Sequence, residues 1–220
     1  MKADLHTHTN HSDGVLNPKE IVALAKERNV NIIAITDHNT VSGVDEAVKE
    51  GKIKDIKVVK GIEISSFTEY LDLEIHIVGL NINPTNNKLR EIIKKISKSA
   101  HADFEKRLSL VNNHFKSNIS QTEIQKNTLG VPSTRHISKV LMEKGFVKNI
   151  DEGLALFLKN GPCFISSNKG VHAKESIRAI KDSGGLAFLA HLSAYKNLNR
   201  LTTFKEQEDL IKELIKYGLD

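Results

Sequence analysis

Near the start of the chain stands Asp4-Leu5-His6-Thr7-His8, followed by Asn10-His11-Ser12-Asp13-Gly14. His6 and His8 are two residues apart, and residues i and i+2 of a β-strand face the same way. Lys2 to Thr7 reads as a short strand, so both imidazoles can leave its end side by side, an arrangement that suits one divalent ion with nitrogen ligands. Ser12-Asp13-Gly14 is a turn signal that carries a carboxylate on the next loop. Such a histidine triplet is equally compatible with ordinary surface histidines; recurrence gives it weight. Thr36-Asp37-His38 ends the apolar run Ile32–Ile35, and Glu63 ends the run 58–62. His76 lies inside 73–79, and His191 ends 186–190. Five times a potential metal ligand lies in or at the end of an expected strand, and β/α barrel enzymes build their sites at the C-terminal ends of strands.

These ligands need elements to carry them. Asn17-Pro18-Lys19-Glu20 has the N-cap, the proline and the reciprocal acid of a helix start, and helical spacing continues to about Asn29. Strands are expected at 32–36, 56–64 and 73–80, with a short helix at 43–49 and a polar connection at 67–72. His76 falls mid-strand, so periodicity alone places it at the site less securely than the others. From Asn81 to Ser117 the pattern turns helical, and shorter helices follow at roughly 120–127, 134–144 and 151–159. After Gly161-Pro162 a β/α pattern resumes with helix 172–183, strand 186–191 and a last helix at about 205–217. Residues 1–82 therefore read as the first part of a barrel, 83–168 as a helical insertion, and 169–220 as the barrel resuming.

The 220 residues suffice for a sizeable core plus an insertion. At 39% hydrophobic and 27% charged residues, the composition is that of a soluble globular protein without a membrane span or signal peptide. One cysteine, Cys163, excludes an internal disulfide, fits the cytoplasm and reads as a buried structural thiol. A net charge of +5 is compatible with polyanionic substrates but modest for a dedicated nucleic-acid binder. Aromatic residues at 5% argue against a stacking platform for long single strands.

Asp4-Leu-His-Thr-His8, Ser12-Asp-Gly14, Ile35-Thr-Asp-His38, Gly61-Ile-Glu63, His76-Ile-Val-Gly79 and Ala190-His191 occur in an order that resembles the PHP (polymerase and histidinol phosphatase) superfamily of metal-dependent phosphoesterases. Within it the chain is most similar to the branch acting on nucleoside 3′,5′-bisphosphates and short RNA. The resemblance implies an α/β fold, a distorted (β/α)7-type barrel. It also implies two or three divalent ions, manganese, zinc or iron, held by His6, His8, Asp13, His38, Glu63, His76 and His191. In that scheme His6, His8 and Glu63 hold one ion, Glu63 bridges to a second held with His76 and His191, and Asp13 and His38 hold a third. His6, His8, Glu63 and His191 form the catalytic set. The implied reaction is hydrolysis of phosphate mono- or diesters of small nucleotides or short RNA by a metal-bound hydroxide, with no stable protein partner.

Arg135 and His136 are the expected substrate phosphate contacts, at the start of helix 134–144. The family branch often has its arginine two residues before the histidine; here Thr134 stands there, and the offset turns the side chain by about 100°. Leu192 replaces the proline that usually follows the family's last histidine. Asp37 reads either as an orienting partner of His38 or as a turn-stabilising aspartate. His11 reads as an exposed loop histidine, and Arg107 either as facing the substrate or, preferably, as a salt-bridged surface arginine. The family's Gly-Ser-Asp-x-His segment, source of two further ligands, has no counterpart, and five expected strands fall short of the seven or eight of a closed barrel. The barrel is thus expected to be incomplete at its C-terminal end, from truncation rather than a naturally short form. The alternatives are a histidinol-phosphate-type phosphatase or an inactive metal-binding or regulatory module.

Overall fold

The computed structural model describes residues 1–70, 73–165, 170–193 and 203–220. Six strands, β1 (Ala3–Thr7), β2 (Ile32–Ile35), β3 (Lys57–Thr68), β4 (Leu73–Leu80), β5 (Val171–His172) and β6 (Leu186–Leu189), make one sheet. Its order is β1-β2-β3-β4-β6, with β5 paired to β3. The wall is a half-barrel of α/β type. The β1/β2, β2/β3 and β3/β5 pairs are parallel, whereas β3/β4 and β4/β6 are antiparallel. Among the described strands, β4 alone runs against the rest. That reversal explains why His76 sits mid-strand: the rule about C-terminal ends does not govern a reversed strand.

Helices cover the sheet. α1 (Pro18–Glu27) begins as the sequence demands, with Asn17 accepting from the Lys19 and Glu20 N–H groups and Glu20 returning a bond to the Asn17 N–H. α1 and α2 (Val44–Lys54) bury Val22, Ala25, Val44 and Ala47 against Ile33 and Ile35. On β3 and β4 the period of two puts Ile62, Ile64, Ile75 and Ile77 into a second core. α7 (Ala173–Asp182) and α8 (Phe204–Tyr217) close that core with Ile177, Ile180, Leu210 and Leu214. Each buried isoleucine contributes roughly 1.5–3 kcal/mol, so this double row fixes the pairing of β3 with β4. A slip of one residue would turn the row out and Glu63 in.

α3 (Asn87–Phe115) has 29 residues and serves two cores. Leu89 and Ile96 in its first half belong to the sheet core, and Phe104 and Val111 in its second half to a separate helical cluster. That cluster also takes Ile124 from α4 (Gln121–Gln125), Ile137 and Leu141 from α5 (Thr134–Glu143), and Cys163 from the segment after α6 (Ile150–Ala155). Cys163 is a buried thiol in it, as expected.

Three features depart from the sequence reading. β3 runs to Thr68, where a polar connection was expected, because Ser65, Ser66 and Thr68 pair with β4 as readily as apolar residues. α2 extends to Lys54 rather than stopping at 49. β5 is a sixth strand of two residues, too short for periodicity to reveal. Asn39, with φ 55°, sits in the gap between β2 and β5 along β3. Its N–H donates to the Glu63 carbonyl, and its side-chain amide exchanges two bonds with Ser65. The Asn39 side chain thus imitates a peptide group and carries the parallel ladder one step further. At the outer edge of β6, the Asp220 N–H bonds to the Ala187 carbonyl, and its carboxylate accepts from the Ala187 N–H.

Candidate metal centre

Glu63 is the hub. It follows Ile62 on β3 and points away from the isoleucine row, and its position is fixed by its neighbour on the parallel edge. The Glu63 N–H donates to the Asp37 carbonyl and its carbonyl accepts from Asn39, so His38 lies directly beside it. Across the antiparallel edge His76 is opposite Ser65, the diagonal neighbour of Glu63 on the same face. The Ala190 N–H bonds to the His76 carbonyl and extends the β4/β6 ladder, delivering His191 next to His76. His191 itself has φ 33°, a conformation that non-glycine residues seldom adopt and that marks functional sites often enough to note.

The two oxygens of the buried Glu63 carboxylate divide the histidines between them. Oε2 lies 3.0 Å from His6 Nε2, 3.1 Å from His8 Nε2 and 3.3 Å from His38 Nδ1. Oε1 lies 3.1 Å from His76 Nδ1 and 2.9 Å from His191 Nε2. His8 has a second contact: its Nδ1 is 3.2 Å from Asp13 Oδ1, which is also 3.9 Å from His38 Nε2. All seven expected ligands are therefore brought together. Three groups could hold an ion: His6 with His8 and Glu63, His8 with Asp13 and His38, and His38 with Glu63 and His76. His8 and His38 are thus shared more widely than the resemblance implied.

The donor set fits divalent cations. His76 Nδ1 and His191 Nε2 are 3.2 Å apart, and both face the same carboxylate oxygen. A neutral imidazole carries one proton, so five rings about one carboxylate leave several lone pairs directed at a shared space. Nitrogen with carboxylate oxygen suits borderline ions such as zinc, manganese or iron. Burial works against the charge on Glu63, yet hydrogen bonds from His191, His6, His76 and His8 hold its pKa far below the usual carboxylate range. Burial likewise opposes charge on Asp13, but the His8 bond and the His38, His8 and Arg135 charges keep it strongly acidic. His8 is desolvated too, but its bonds to Asp13 and Glu63 prevail and raise it to about 9. Its neighbour His38 goes the other way, to about 4: burial leads, and the facing His76 and His8 rings add to it against the partial restoration by Glu63 and Asp13.

The loop between His8 and Asp13 is stapled from beneath by Asp37. The Thr9 N–H and hydroxyl donate to its two oxygens at 2.7 Å each, and the Ser12 hydroxyl donates at 2.6 Å. Asp37 therefore stabilises the turn, the second of its two sequence readings. Gly14 closes the loop where a Cβ would collide with the His8 carbonyl. From above, the Thr128 hydroxyl donates to the Ser12 carbonyl at 2.7 Å, and the Leu129 N–H to the Asn10 carbonyl at 2.8 Å. The helical segment thus holds the loop that carries Asp13. Neither Asn39 nor Thr128 was singled out in the sequence. An asparagine in Asp37-His38-Asn39 was visible as a turn residue, whereas the Thr128 contact spans 116 positions and leaves no local signal.

Arg135 is exposed in the first turn of α5, and its charge acts on Asp13. His136 is buried, and its Nδ1 accepts from the Ser133 N–H at 3.0 Å, so it caps α5. His11 is half-buried rather than exposed, its Nδ1 2.8 Å from the Ser42 hydroxyl, because Gly43 leaves room for the ring to lie against it. It belongs to none of the candidate metal groups. Arg107 departs from the expected surface salt bridge: it is half-buried, its guanidinium lies 5.9 Å from the Phe157 ring centroid, and its Nε is buried without a hydrogen-bond partner.

Comparison with known proteins agrees with this geometry. The chain is 32% identical over 197 residues to a 5'-3' exoribonuclease of Haemophilus influenzae, covering 88% of this chain and 70% of that protein. It is 26% identical over 194 residues to a 3',5'-nucleoside bisphosphate phosphatase of Chromobacterium violaceum, covering 87% and 67% respectively. The chain spans about two thirds of the length of the curated relatives it matches. A solved structure of an amidohydrolase from Chromobacterium violaceum superimposes with a TM-score of 0.91 at 23% identity, over all of this chain and 75% of that one, and shares the fold. The PHP domain model matches residues 4–171, and the chain belongs to the PHP domain family.

Proposed function

We propose that the chain is a metal-dependent phosphoesterase that hydrolyses phosphate esters of small nucleotides or short RNA. The observation that carries this reading is the division of the Glu63 carboxylate, with three imidazoles on Oε2 and two on Oε1. The hydrolase names of the relatives support it. In this reading His6, His8 and Glu63 hold one ion, Glu63, His76 and His191 a second, and Asp13 with His38 a third; manganese, zinc or iron would suit these ligands. Bound ions of this kind lower the pKa of water and neutralise phosphoryl charge in hydrolysis.

The chain's own residues do the rest. Glu63 stays ionised at every working pH, so it holds its place between the two histidine groups. Asp37 and Thr128 fix the loop so that Asp13 stays within reach of His8 and His38. Arg135 offers a planar cation to a substrate phosphate beside Asp13. His136, by capping α5, sets where Arg135 stands. The isolated cluster of α4–α6 supports reading 83–168 as an inserted helical unit between barrel parts 1–82 and 169–220. No helix of the described residues is long and apolar enough to cross a membrane; the single cysteine is what supports placing the protein in a reducing compartment, the cytoplasm. The test is metal content per chain together with hydrolysis of adenosine 3′,5′-bisphosphate and a 5′-phosphorylated ribo-oligonucleotide with added manganese. Two or three ions with phosphate release are expected; a metal-loaded chain that releases nothing from either substrate overturns the reading.

A further inference from the structure

Beside the metal centre runs an open groove of about 540 Å³ between the segment after His38 and the first half of α3. One wall carries the Thr40 and Ser42 hydroxyls, which lie 3.0 Å apart. Ser42 also holds His11, on the loop between His8 and Asp13, so this wall is continuous with the site at both of its ends. Val41 and Ile93 give the groove an apolar floor.

The other wall is cationic. Arg90, Lys94, Lys98 and His101 line it at intervals of four, four and three residues. At about 100° per residue these four fall within an arc of about 80°, and they extend over about 16 Å of the helix. The remaining lysines of this half of α3 supply a contrast. Lys88 and Lys95 lie on the adjoining face, about 100–120° round the helix from the middle of that arc, and are neutralised by Asp182 and Glu175 at 2.7 and 3.1 Å. Among the described residues, none of the four groove cations has an ion-pair partner. Arg90 spends only its Nε, on the Pro84 carbonyl. Surface lysines are ordinarily distributed among acids; here one face of a helix is compensated and the adjoining one is left positive along a groove. A row of cations with hydroxyls facing them and an apolar floor matches a strand that has phosphates at regular intervals and flat bases between.

We propose that this groove binds the phosphodiester backbone of a single-stranded oligonucleotide whose terminal phosphate lies at the metal centre. The proposal rests on the phosphoesterase reading and sharpens it: a mononucleotide would leave the groove empty, and a strand of a few nucleotides would fill it. Arg90, Lys94, Lys98 and His101 contact phosphates downstream of the scissile one and act on affinity, not on the reacting atoms.

The experiment measures fluorescence anisotropy of a 5′-phosphorylated pentaribonucleotide on the purified chain, for wild type, Lys94→Glu/Lys98→Glu and Lys88→Glu/Lys95→Glu. All four lysines are exposed, and circular dichroism checks that each variant is folded. The groove variant is expected to bind at least tenfold more weakly. The slope of log affinity against log salt should become shallower by about 1.4, two phosphate contacts at about 0.7 each. The control variant should bind like wild type. Hydrolysis of adenosine 3′,5′-bisphosphate should stay within twofold in both. Unchanged binding in the groove variant, equal losses in groove and control variants, or no binding by wild type overturns the proposal. Failure of wild type to hydrolyse either substrate would instead count against the phosphoesterase reading, because the binding measurement is independent of turnover.

Discussion

The two sides of the Glu63 carboxylate are built differently. On Oε2 the rings of His6, His8 and His38 come from the ends of parallel neighbours, β1 and β2, and from the turns that follow. Those turns are tied down by Asp37 below and Thr128 above. On Oε1 the rings of His76 and His191 come from a reversed strand and from a residue with left-handed backbone geometry. The parallel side achieves its geometry through buried polar staples, the antiparallel side through the sheet ladder itself. Two routes to one carboxylate imply different sensitivities to mutation.

The largest effect is expected where the two sides meet. Glu63→Gln should abolish turnover, by about a thousandfold or more, and remove metal from both sides at once, read by phosphate release and metal content. Wild-type rates in that variant would falsify the assignment of Glu63 as the shared ligand. Next come the single histidines. His8→Ala should remove the ion held with His6 and Glu63 and also weaken the one held by Asp13 and His38, since His8 faces both Glu63 and Asp13, whereas His191→Ala should remove one ion alone; equal effects would erase the distinction between the sides. A smaller change is expected from Thr128→Val, which removes one hydroxyl from above the loop. Affinity for the most weakly held ion should fall about tenfold, as for other groups that orient ligands, with little change on the Oε1 side. Asp37→Ala, which removes all three staples from below, should lose at least as much metal and also about 3 kcal/mol of stability in urea.

The pH response sharpens the contrast further. His8 has its folded pKa raised from 6.5 to about 9, so in the metal-free chain its proton contributes stability that is complete below 6.5 and is lost as the pH rises through about 9. Metal competes for the same nitrogens, so affinity on the Oε2 side should rise over that interval. Urea titrations of the metal-free chain and metal titrations at pH 6.5, 7.5 and 9 should therefore run in opposite directions. His11→Ala should change neither metal content nor turnover by more than about twofold.

The same contrast separates what could be read in the sequence from what could not. His6, His8, Asp13, His38 and Glu63 were legible because strand ends and turn residues are local signals, and the ligand types recur at each one. His76 was harder, since only pairing with Ser65 shows that a mid-strand residue shares the face of Glu63. The helices between β4 and β5 were legible from their helical pattern, and their boundaries moved by only a few residues. Their contact with the metal loop was not, because Thr128 meets Ser12 only after the whole chain has folded. The placing of Arg107 over Phe157 escaped for the same reason: it depends on α3 packing against the turn after α6, and neither one announces the other.

Asn39 has a consequence for how the fold tolerates change. Ser66 pairs with Val171 after roughly a hundred intervening residues, yet the returning strand arrives in a fixed phase. The phase is preset by Asn39, which extends the His38 ladder by one amide and leaves the next stretch of β3 open in a defined register. Closing a longer excursion adds only about 0.6 kcal/mol for each doubling of its length. Parts of the segment between β4 and β5 that touch neither the sheet core nor the metal loop are thus the places where length can change at little cost, and one asparagine side chain acts as the bookmark beside His38.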